Sequence, residues 1–401
     1  MQSGEQGQTQ AVQTTGRSVV VFADDVRGDT VAIAAALRSI AGVSRIAGTL
    51  ETGMLDPDEA ALAEAITFNA LGVAVVKADP RRLRGAIAIS GTSNGPIVAV
   101  EPERIMRAIA HSASAHFSDD EQFTWGLRAT GVDTTSATGS AIRIAILDTG
   151  LDVGHPDFAG RAITARSFAA GQSADDGQGH GTHCTGSACG SASPAEGRRY
   201  GVAAEAEIFV GKVLNDNGAG TDANILAGID WAITNGCQII SMSLGADVAT
   251  VSQAYETVGR RALEAGSLIV AAAGNNASRS DGFLGFVGMP ANSPSIMAIA
   301  AVDSDLKIAD FSAASNPAAA GGQVDLAGPG VAVYSSWPMP QRTNTISGTS
   351  MATPHVAGIA ALIAQKTGAR AQALWDALVE SAQALDLPAT DVGAGLAQAP
   401  D

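Results

Sequence analysis

Residues 142–152 read IRIAILDTGLD, an apolar run that ends in a carboxylate and a glycine turn. A short run rich in isoleucine is typical of a buried strand. Similar runs follow at residues 208–214, 239–244, 268–273 and 296–302. Helical stretches such as 222–234 and 252–265 separate them. Apolar strands that alternate with helices predict an α/β fold whose mainly parallel sheet is flanked by helices. We expect the reactive side chains beyond the carboxyl ends of these strands.

A smaller module precedes this region. Its strands are predicted by apolar runs at residues 18–22, 72–77 and 96–101. Asp29 can cap a helix over residues 30–40. Asp56 and Pro57 open a second helix that is predicted to continue through Ala70, with proline in the first turn, where its missing N–H costs nothing. These elements predict a small α+β domain.

The chain therefore divides into four predicted parts. They are a disordered tail at residues 1–17, the small domain at 18–111, a linker at 112–124 and the larger domain at 125–401. The tail is polar and lacks the basic start, apolar stretch and cleavage site of a secretory signal. Two alternatives stay open here, an intracellular protein or a chain whose signal has been removed.

Composition excludes several classes of protein. Of 401 residues, 46% are apolar, which excludes disorder over most of the chain. The net charge of −16 has the wrong sign for binding nucleic acid and favours a monomer. No apolar run is long enough for a membrane helix, so we expect no membrane partner. Three cysteines are too few for a disulfide framework and allow one bridge at most.

Three motifs carry the chemistry. Asp148 follows the strand in the run ILDTGLD, His180 opens a helix in GHGTHCTG at 179–186, and Ser350 heads an apolar helix in SGTSMATPHVAG at 347–358. A serine hydroxyl is a weak nucleophile until a histidine base removes its proton, and a carboxylate must orient that histidine. Asp148, His180 and Ser350 supply one group of each kind, which predicts a catalytic triad.

The three motifs, in this order along the chain, resemble those of subtilisin-like serine proteases, and their wording is most similar to the proteinase K branch. The resemblance covers residues 119–401. It implies a subtilisin-like fold and a serine endopeptidase that works through an acyl-enzyme. It also implies that Asn275, after the strand at 268–273, stabilises the oxyanion together with the Ser350 backbone N–H.

The resemblance also implies the residues that bind a polypeptide substrate. An extended peptide would pair with two backbone segments, which are Gly218, Ala219 and Gly220 on one side and Ser243, Leu244 and Gly245 on the other. The first specificity pocket would have Gly288 as its floor and walls formed by Ala272, Ala273 and Gly274. A glycine floor leaves room for a large apolar side chain before the cut, and broad specificity is expected.

No organic cofactor is implied, but calcium is expected as a structural ion. Pro294, Ile296 and Asp325 resemble the segments that supply two carbonyls and a carboxylate in the proteinase K branch. Asp157 matches a carboxylate of another family site, but the loop at 187–201 lacks the asparagine-rich segment that completes it.

The small domain resembles the inhibitory propeptide of subtilases, so residues 18–111 are expected to be an intramolecular inhibitor that is cut off by self-processing in the linker at 112–124. A folded propeptide usually accompanies export, which favours a secreted or periplasmic zymogen over a cytoplasmic one.

Two alternatives to a broad endopeptidase stay open, a narrow-specificity maturation protease and a catalytically silent binding protein. A zinc site at His180 and His183 is disfavoured because no third ligand follows.

Overall fold

The computed structural model describes residues 13–48, 57–89, 96–108, 119–316 and 321–401. The N-terminal module, which we define as the described residues up to 108, forms an α+β unit. Its strands are β1 (Thr14–Phe22), β2 (Ile46–Gly48), β3 (Ala65–Phe68), β4 (Val73–Val76) and β5 (Ile97–Ala108). Its helices are α1 (Thr30–Ala36), α2 (Pro57–Leu62) and α3 (Pro80–Ile89).

The larger domain follows from residue 119. Its strands are β6 (Arg143–Asp148), β7 (Ile163–Ser167), β8 (Glu207–Lys212), β9 (Ala219–Thr221), β10 (Ile239–Met242), β11 (Leu244–Gly245), β12 (Leu268–Ala272), β13 (Met297–Val302), β14 (Leu326–Pro329), β15 (Val333–Ser336) and β16 (Thr343–Ile346). Its helices are α4 (Trp125–Ala129), α5 (His180–Cys189), α6 (Asp222–Thr234), α7 (Gln253–Glu264), α8 (Thr349–Thr367), α9 (Ala371–Glu380) and α10 (Ala389–Val392).

The centre of the larger domain is a seven-stranded sheet in the order β14-β13-β12-β10-β6-β8-β7. All its neighbouring strands pair in parallel. Its five apolar strands predicted from the sequence all form, and buried residues of α5, α6, α7 and α8 cover them. This confirms the predicted α/β fold. Because parallel strands share one carboxyl edge, β6 and β12 deliver Asp148 and the segment before Asn275 to the same edge.

Two predictions for the N-terminal module are wrong. The helix predicted to reach Ala70 ends at Leu62, and β3 replaces its second half, because the buried segment Ala65–Phe68 pairs with β2 and β4. The predicted tail also extends too far, since β1 begins at Thr14 inside the range 1–17. The rest of that tail and the linker residues 112–118 lie outside the described residues.

The N-terminal module packs on the larger domain with one face of its sheet. Residues alternate between the two faces of a strand. Val20 and Phe22 of β1 therefore join the module's own core, whereas Val19 and Val21 join a buried cluster that includes residues of α6 and α7. Arg261 of α7 is only 2% exposed, and its guanidinium donates to the carbonyl of Phe22 at 2.9 Å. The module is thus held by apolar burial and by a buried cation.

None of the helices that the structure describes is long and apolar enough to cross a membrane.

Candidate active site

Asp148 and His180 form a buried pair at the carboxyl edge of the sheet. Asp148 is the last residue of β6, and His180 is the first residue of α5. His180 Nδ1 donates to Asp148 Oδ1 at 2.8 Å, and the Thr149 backbone N–H donates to the same oxygen at 2.7 Å. This bond holds Nδ1 protonated and leaves Nε2, which is buried without a partner among the described residues, as the basic nitrogen.

The electrostatics of this pair favour the protonated ring. Burial on its own lowers the pKa of His180, but the Asp148 carboxylate raises it, and the net shift is well above the ordinary value of 6.5. A base that gains its proton easily and is oriented by a carboxylate is what a serine nucleophile requires.

Ser350 lies in the first turn of α8, after Gly348. Its hydroxyl donates to the Ser243 carbonyl at 3.1 Å, and Ser243 Oγ donates back to the Ser350 carbonyl at 2.7 Å. Cys184 connects Ser350 to His180, because its sulfur lies 3.5 Å from the Ser350 carbonyl and 3.7 Å from His180 Nδ1. The structure therefore brings the three predicted triad residues together, with the serine hydroxyl turned toward Ser243. Catalytic hydrogen bonds are often loose before substrate binds.

Asn275 presents a buried donor beside Ser350. Its Oδ1 accepts the backbone N–H of Thr349 at 3.0 Å and the Thr349 hydroxyl at 2.8 Å. These bonds fix the amide, and Nδ2 is buried without a partner among the described residues. The backbone N–H groups in the first turn of a helix also have no intrahelical acceptor. The side chain of Asn275 and the start of α8 can thus supply two donors to one oxyanion.

Sequence reasoning missed Asp176, which orders the loop before His180. Its Oδ1 accepts from the Thr149 hydroxyl at 2.8 Å and the Gly179 N–H at 2.8 Å, and its Oδ2 accepts from the Thr182 N–H at 2.8 Å and the Thr182 hydroxyl at 2.7 Å. The signal was available, because an acidic residue precedes His180 in the run DDGQGH at 175–180. Lys212 was missed as well. It is fully buried at the end of β8 and pairs with Asp216 at 2.6 Å.

The two predicted peptide-binding segments lie on either side of β5 of the N-terminal module. On one side, Met106 is opposite Gly220 and Arg107 is opposite Ala219, in antiparallel pairing. The Ala108 N–H also donates to the Gly218 carbonyl at 3.0 Å. On the other side, Arg107 is opposite Gly245 and Ala108 is opposite Leu244. Ser243, whose carbonyl holds the Ser350 hydroxyl, is the next residue along that segment. The end of β5 therefore points toward Ser350.

The residues predicted to form the specificity pocket lie close together. The Gly288 N–H donates to the Ala273 carbonyl at 2.8 Å, which places the floor against the walls formed by Ala272, Ala273 and Gly274. A side chain at position 288 has no room, because its Cβ would lie 2.7 Å from the Ala246 carbonyl oxygen. Glycine at this position therefore lets the two backbone segments lie against each other.

Two further histidines near the site, His183 and His355, and the three cysteines are buried. Burial lowers the pKa of His183 to about 3 and that of His355 to about 4, and each ring donates to a backbone carbonyl. All three cysteines are free and buried. The ligand atoms of Asp148, His180 and Cys184 lie within 4.8 Å of one another. Burial raises the pKa of the Cys184 thiol and so disfavours its thiolate form.

The three residues predicted to bind calcium line one cavity of about 340 Å³. Asp325 Oδ2 accepts the Ala298 N–H at 2.7 Å, and burial raises the pKa of Asp325 to about 7. A buried carboxylate with a raised pKa favours a nearby cation, so the donor set fits calcium. The carboxylate oxygens of Asp157 already have protein partners. They accept the Ala195 N–H at 2.8 Å and the Tyr200 hydroxyl at 2.5 Å, and the Arg342 guanidinium lies 3.5 Å away.

Comparisons with known proteins identify relatives of this chain. The profile of the subtilase family matches residues 139–395, which include Asp148, His180, Asn275 and Ser350. Subtilisin DY from Bacillus licheniformis is 39% identical over 241 residues, which are 60% of this chain and 82% of subtilisin DY. Subtilisin E from Bacillus subtilis strain 168 is 36% identical over 281 residues, which are 70% of this chain and 68% of subtilisin E. Alkaline serine protease ver112 from Corniculantispora psalliotae is 37% identical over 268 residues, which are 63% of each chain.

These relatives do not test the resemblance to the proteinase K branch, which stays a prediction. They favour a serine endopeptidase over the catalytically silent alternative.

Proposed function

Because the chain belongs to the subtilase family and is a subtilisin-like serine endopeptidase, we propose that Asp148, His180 and Ser350 are its catalytic triad. The observation that supports this most strongly is the buried 2.8 Å bond from His180 to Asp148, beside a serine in the first turn of a helix. This arrangement leaves His180 Nε2 free to take the proton of a hydroxyl.

Each step of peptide-bond hydrolysis can then be assigned to a residue. As Ser350 Oγ bonds to the carbonyl carbon of the substrate, His180 Nε2 takes the hydroxyl proton. Asn275 Nδ2 and the Ser350 N–H hold the oxyanion. His180 gives the proton to the leaving amine, the C–N bond breaks, and an acyl-enzyme remains on Ser350. Water then gives its proton to His180 and its oxygen to the carbonyl carbon, and the acid product leaves as Ser350 regains its hydrogen. Asp148 keeps its charge and stabilises the imidazolium throughout.

The segments at 218–220 and 243–245 would bind the polypeptide main chain, and the pocket above Gly288 would take the side chain before the cut. Since a glycine floor leaves the pocket deep, we expect broad cleavage with a preference for large apolar residues. A narrow maturation protease is the alternative. A peptide library would decide, because one dominant sequence would favour the narrow enzyme.

The experiment that tests the proposed function is labelling with a fluorophosphonate, which reacts with an activated serine. We expect peptide mapping to place the label on Ser350 alone. The exposed Ser193 is a matched control, since Ser193→Ala should be labelled as fully as the unchanged protein. Labelling of another serine, or none, in the processed protein would contradict the assignment.

Replacing Asn275 with alanine is expected to lower kcat about 10²–10³-fold, with a small change in KM. The side-chain donor acts on the oxyanion and not on the ground-state carbonyl, so the loss falls on the chemical step. Steady-state kinetics on a peptide substrate measure both constants. Asn235→Ala, at the distant end of α6, is the control. A rise in KM of the same size, with kcat unchanged, would show that Asn275 only binds substrate.

We propose that the N-terminal module is the chain's own inhibitor, because β5 fills the groove that a substrate would use. The enzyme is then made as a zymogen that cuts itself in the linker at 112–124. A protease that is silent until it is cut suits export, so we propose a secreted or periplasmic enzyme. Its partners are polypeptide substrates, and we propose that it acts as a monomer that binds neither nucleic acid nor membranes.

We also propose a structural calcium ion held by the Asp325 carboxylate and by the carbonyls of Pro294 and Ile296. Calcium at about 100 times its dissociation constant should stabilise the folded chain by about 2.7 kcal/mol. Thermal unfolding with calcium and with a chelator measures this gain. Asp325→Asn keeps an acceptor for the Ala298 N–H but loses the charge, and should lose the gain. The exposed Asp305→Asn is the control, and an equal gain in the Asp325 variant would contradict the site.

A further inference from the structure

Two fully buried carboxylates lie where the N-terminal module meets the larger domain. Glu103 of β5 and Asp222 at the start of α6 are both 0% exposed. Glu103 pairs with Arg17 of β1, at 2.6 Å and 2.9 Å, and accepts the Ala223 N–H at 3.0 Å. Glu103 is thereby matched by a guanidinium and a helix N-terminus.

Asp222 is held differently. Its Oδ2 accepts the backbone N–H of Arg104 at 2.7 Å, and its Oδ1 accepts the Tyr255 hydroxyl of α7 at 2.9 Å. The Arg104 guanidinium pairs with Glu101 at 3.3 Å. The ionisable groups that act on Asp222 are Glu103 and Arg104 from β5 and Tyr255 from α7. A second carboxylate is thus buried beside Glu103 with neutral donors on its oxygens.

We propose that Asp222 is a further binding residue of the groove, which accepts the main-chain N–H of the strand bound there and takes up a proton when that strand covers it. The N-terminal module is therefore held more tightly in acid than at neutral pH. This inference rests on the proposed function only in identifying the groove.

The direction of this pH dependence follows from the burial of Asp222. With β5 in place, burial raises the pKa of Asp222 to about 7 from an ordinary value of 3.8, and Glu103 adds to the rise against the hydrogen bonds from Arg104 and Tyr255. Without β5, the Arg104 N–H is lost and water reaches the carboxylate at the start of α6. The covered state thus holds one more proton between about pH 4 and pH 7. Docking is strongest below that window, weakens as the pH rises through it, and is constant above it.

Hydrogen exchange on the full chain with Ser350→Ala tests this without any need for catalysis, since the N-terminal module then stays attached whether or not the protein is an enzyme. Protection factors of β5 amides, corrected for intrinsic exchange, would be measured from pH 5 to pH 8. We expect protection to fall by up to about tenfold per pH unit up to pH 7 and then to level off.

Asp222→Asn in the same background mimics the neutral carboxyl, because its oxygen can accept the Arg104 N–H and its NH₂ can donate to the Tyr255 oxygen. We expect a nearly flat pH profile and, at pH 8, about tenfold or greater protection relative to the parent. Asp376→Asn on α9 is the matched control and should follow the parent. If the Asn variant does not fold, Asp222→Ser serves, since it is neutral and keeps one oxygen, and its profile should also be flat.

If the charged carboxylate of Asp222 stabilised the docked module, Asp222→Asn would lower the protection of the β5 amides at pH 8. Lower protection at pH 8 in Asp222→Asn, or a slope equal to that of the Asp376 variant, would overturn the proposal. If the unmutated chain had no peptidase activity, the proposed function would be wrong. The hydrogen-exchange measurement would still test the role of Asp222.

Discussion

Ser350→Ala is expected to lower kcat by about six orders of magnitude, the typical effect of removing the nucleophile of a serine protease. The fold should survive, because the lost hydroxyl makes one hydrogen bond, to the Ser243 carbonyl, and alanine suits the start of an apolar helix. Self-cleavage should stop as well. Intact mass spectrometry is the measurement, and the variant should keep the full mass of 40.2 kDa.

The unchanged protein should lose roughly 110–124 residues by cleavage in the predicted linker, as judged from the sequence. Ser193→Ala should be cut in the same way. If purified Ser350→Ala were shortened at the same bond, either a host protease or another residue would make the cut, and the proposal of self-processing would be wrong. The mass of the fragment also locates the processing site.

Local patterns predicted most of the larger domain. The apolar strands are each specified by their own residues, and the motifs around Asp148, His180 and Ser350 are contiguous, so both could be found from the sequence. Residues 65–68 were assigned to a helix because their pairing with β2 and β4 is not local. The helix that starts at Pro57 therefore ends early, because residues 65–68 pair in the sheet.

Polar contacts between distant segments were also beyond sequence reasoning. Asn275 was found by resemblance, but its orientation depends on Thr349, which lies 74 residues away. Asp222 and Arg261 look like ordinary surface charges on amphipathic helices, but both are buried and both contact the N-terminal module. A one-dimensional pattern carries no sign of such burial, because the groups that contact Arg261 and Asp222 lie far away in the sequence, on β1, β5 and α7 and in the turn at 71–72 before β4.

Asp148→Asn is expected to lower kcat by about 10⁴-fold while the protein stays folded. The amide has nearly the same shape as the carboxylate and can still accept the Thr149 N–H through its oxygen. It cannot hold His180 as a cation. If the NH₂ takes the place of Oδ1 instead, the Thr149 bond is lost and the ring is forced into the wrong tautomer, with the proton on the nitrogen that must act as the base. The loss should therefore fall on kcat, measured under saturating substrate.

The pH profile separates this role from a purely structural one. In the unchanged enzyme, His180 must lose its proton to act as the base, so the acid limb of kcat/KM should lie above the ordinary histidine pKa of 6.5, because Asp148 raises the pKa of His180. Without that charge, burial is the largest remaining influence on the ring and lowers its pKa, so the acid limb of Asp148→Asn should move to lower pH. Asp376→Asn should leave the limb in place. A variant that lost activity with an unmoved acid limb would show that Asp148 positions the ring without tuning its charge.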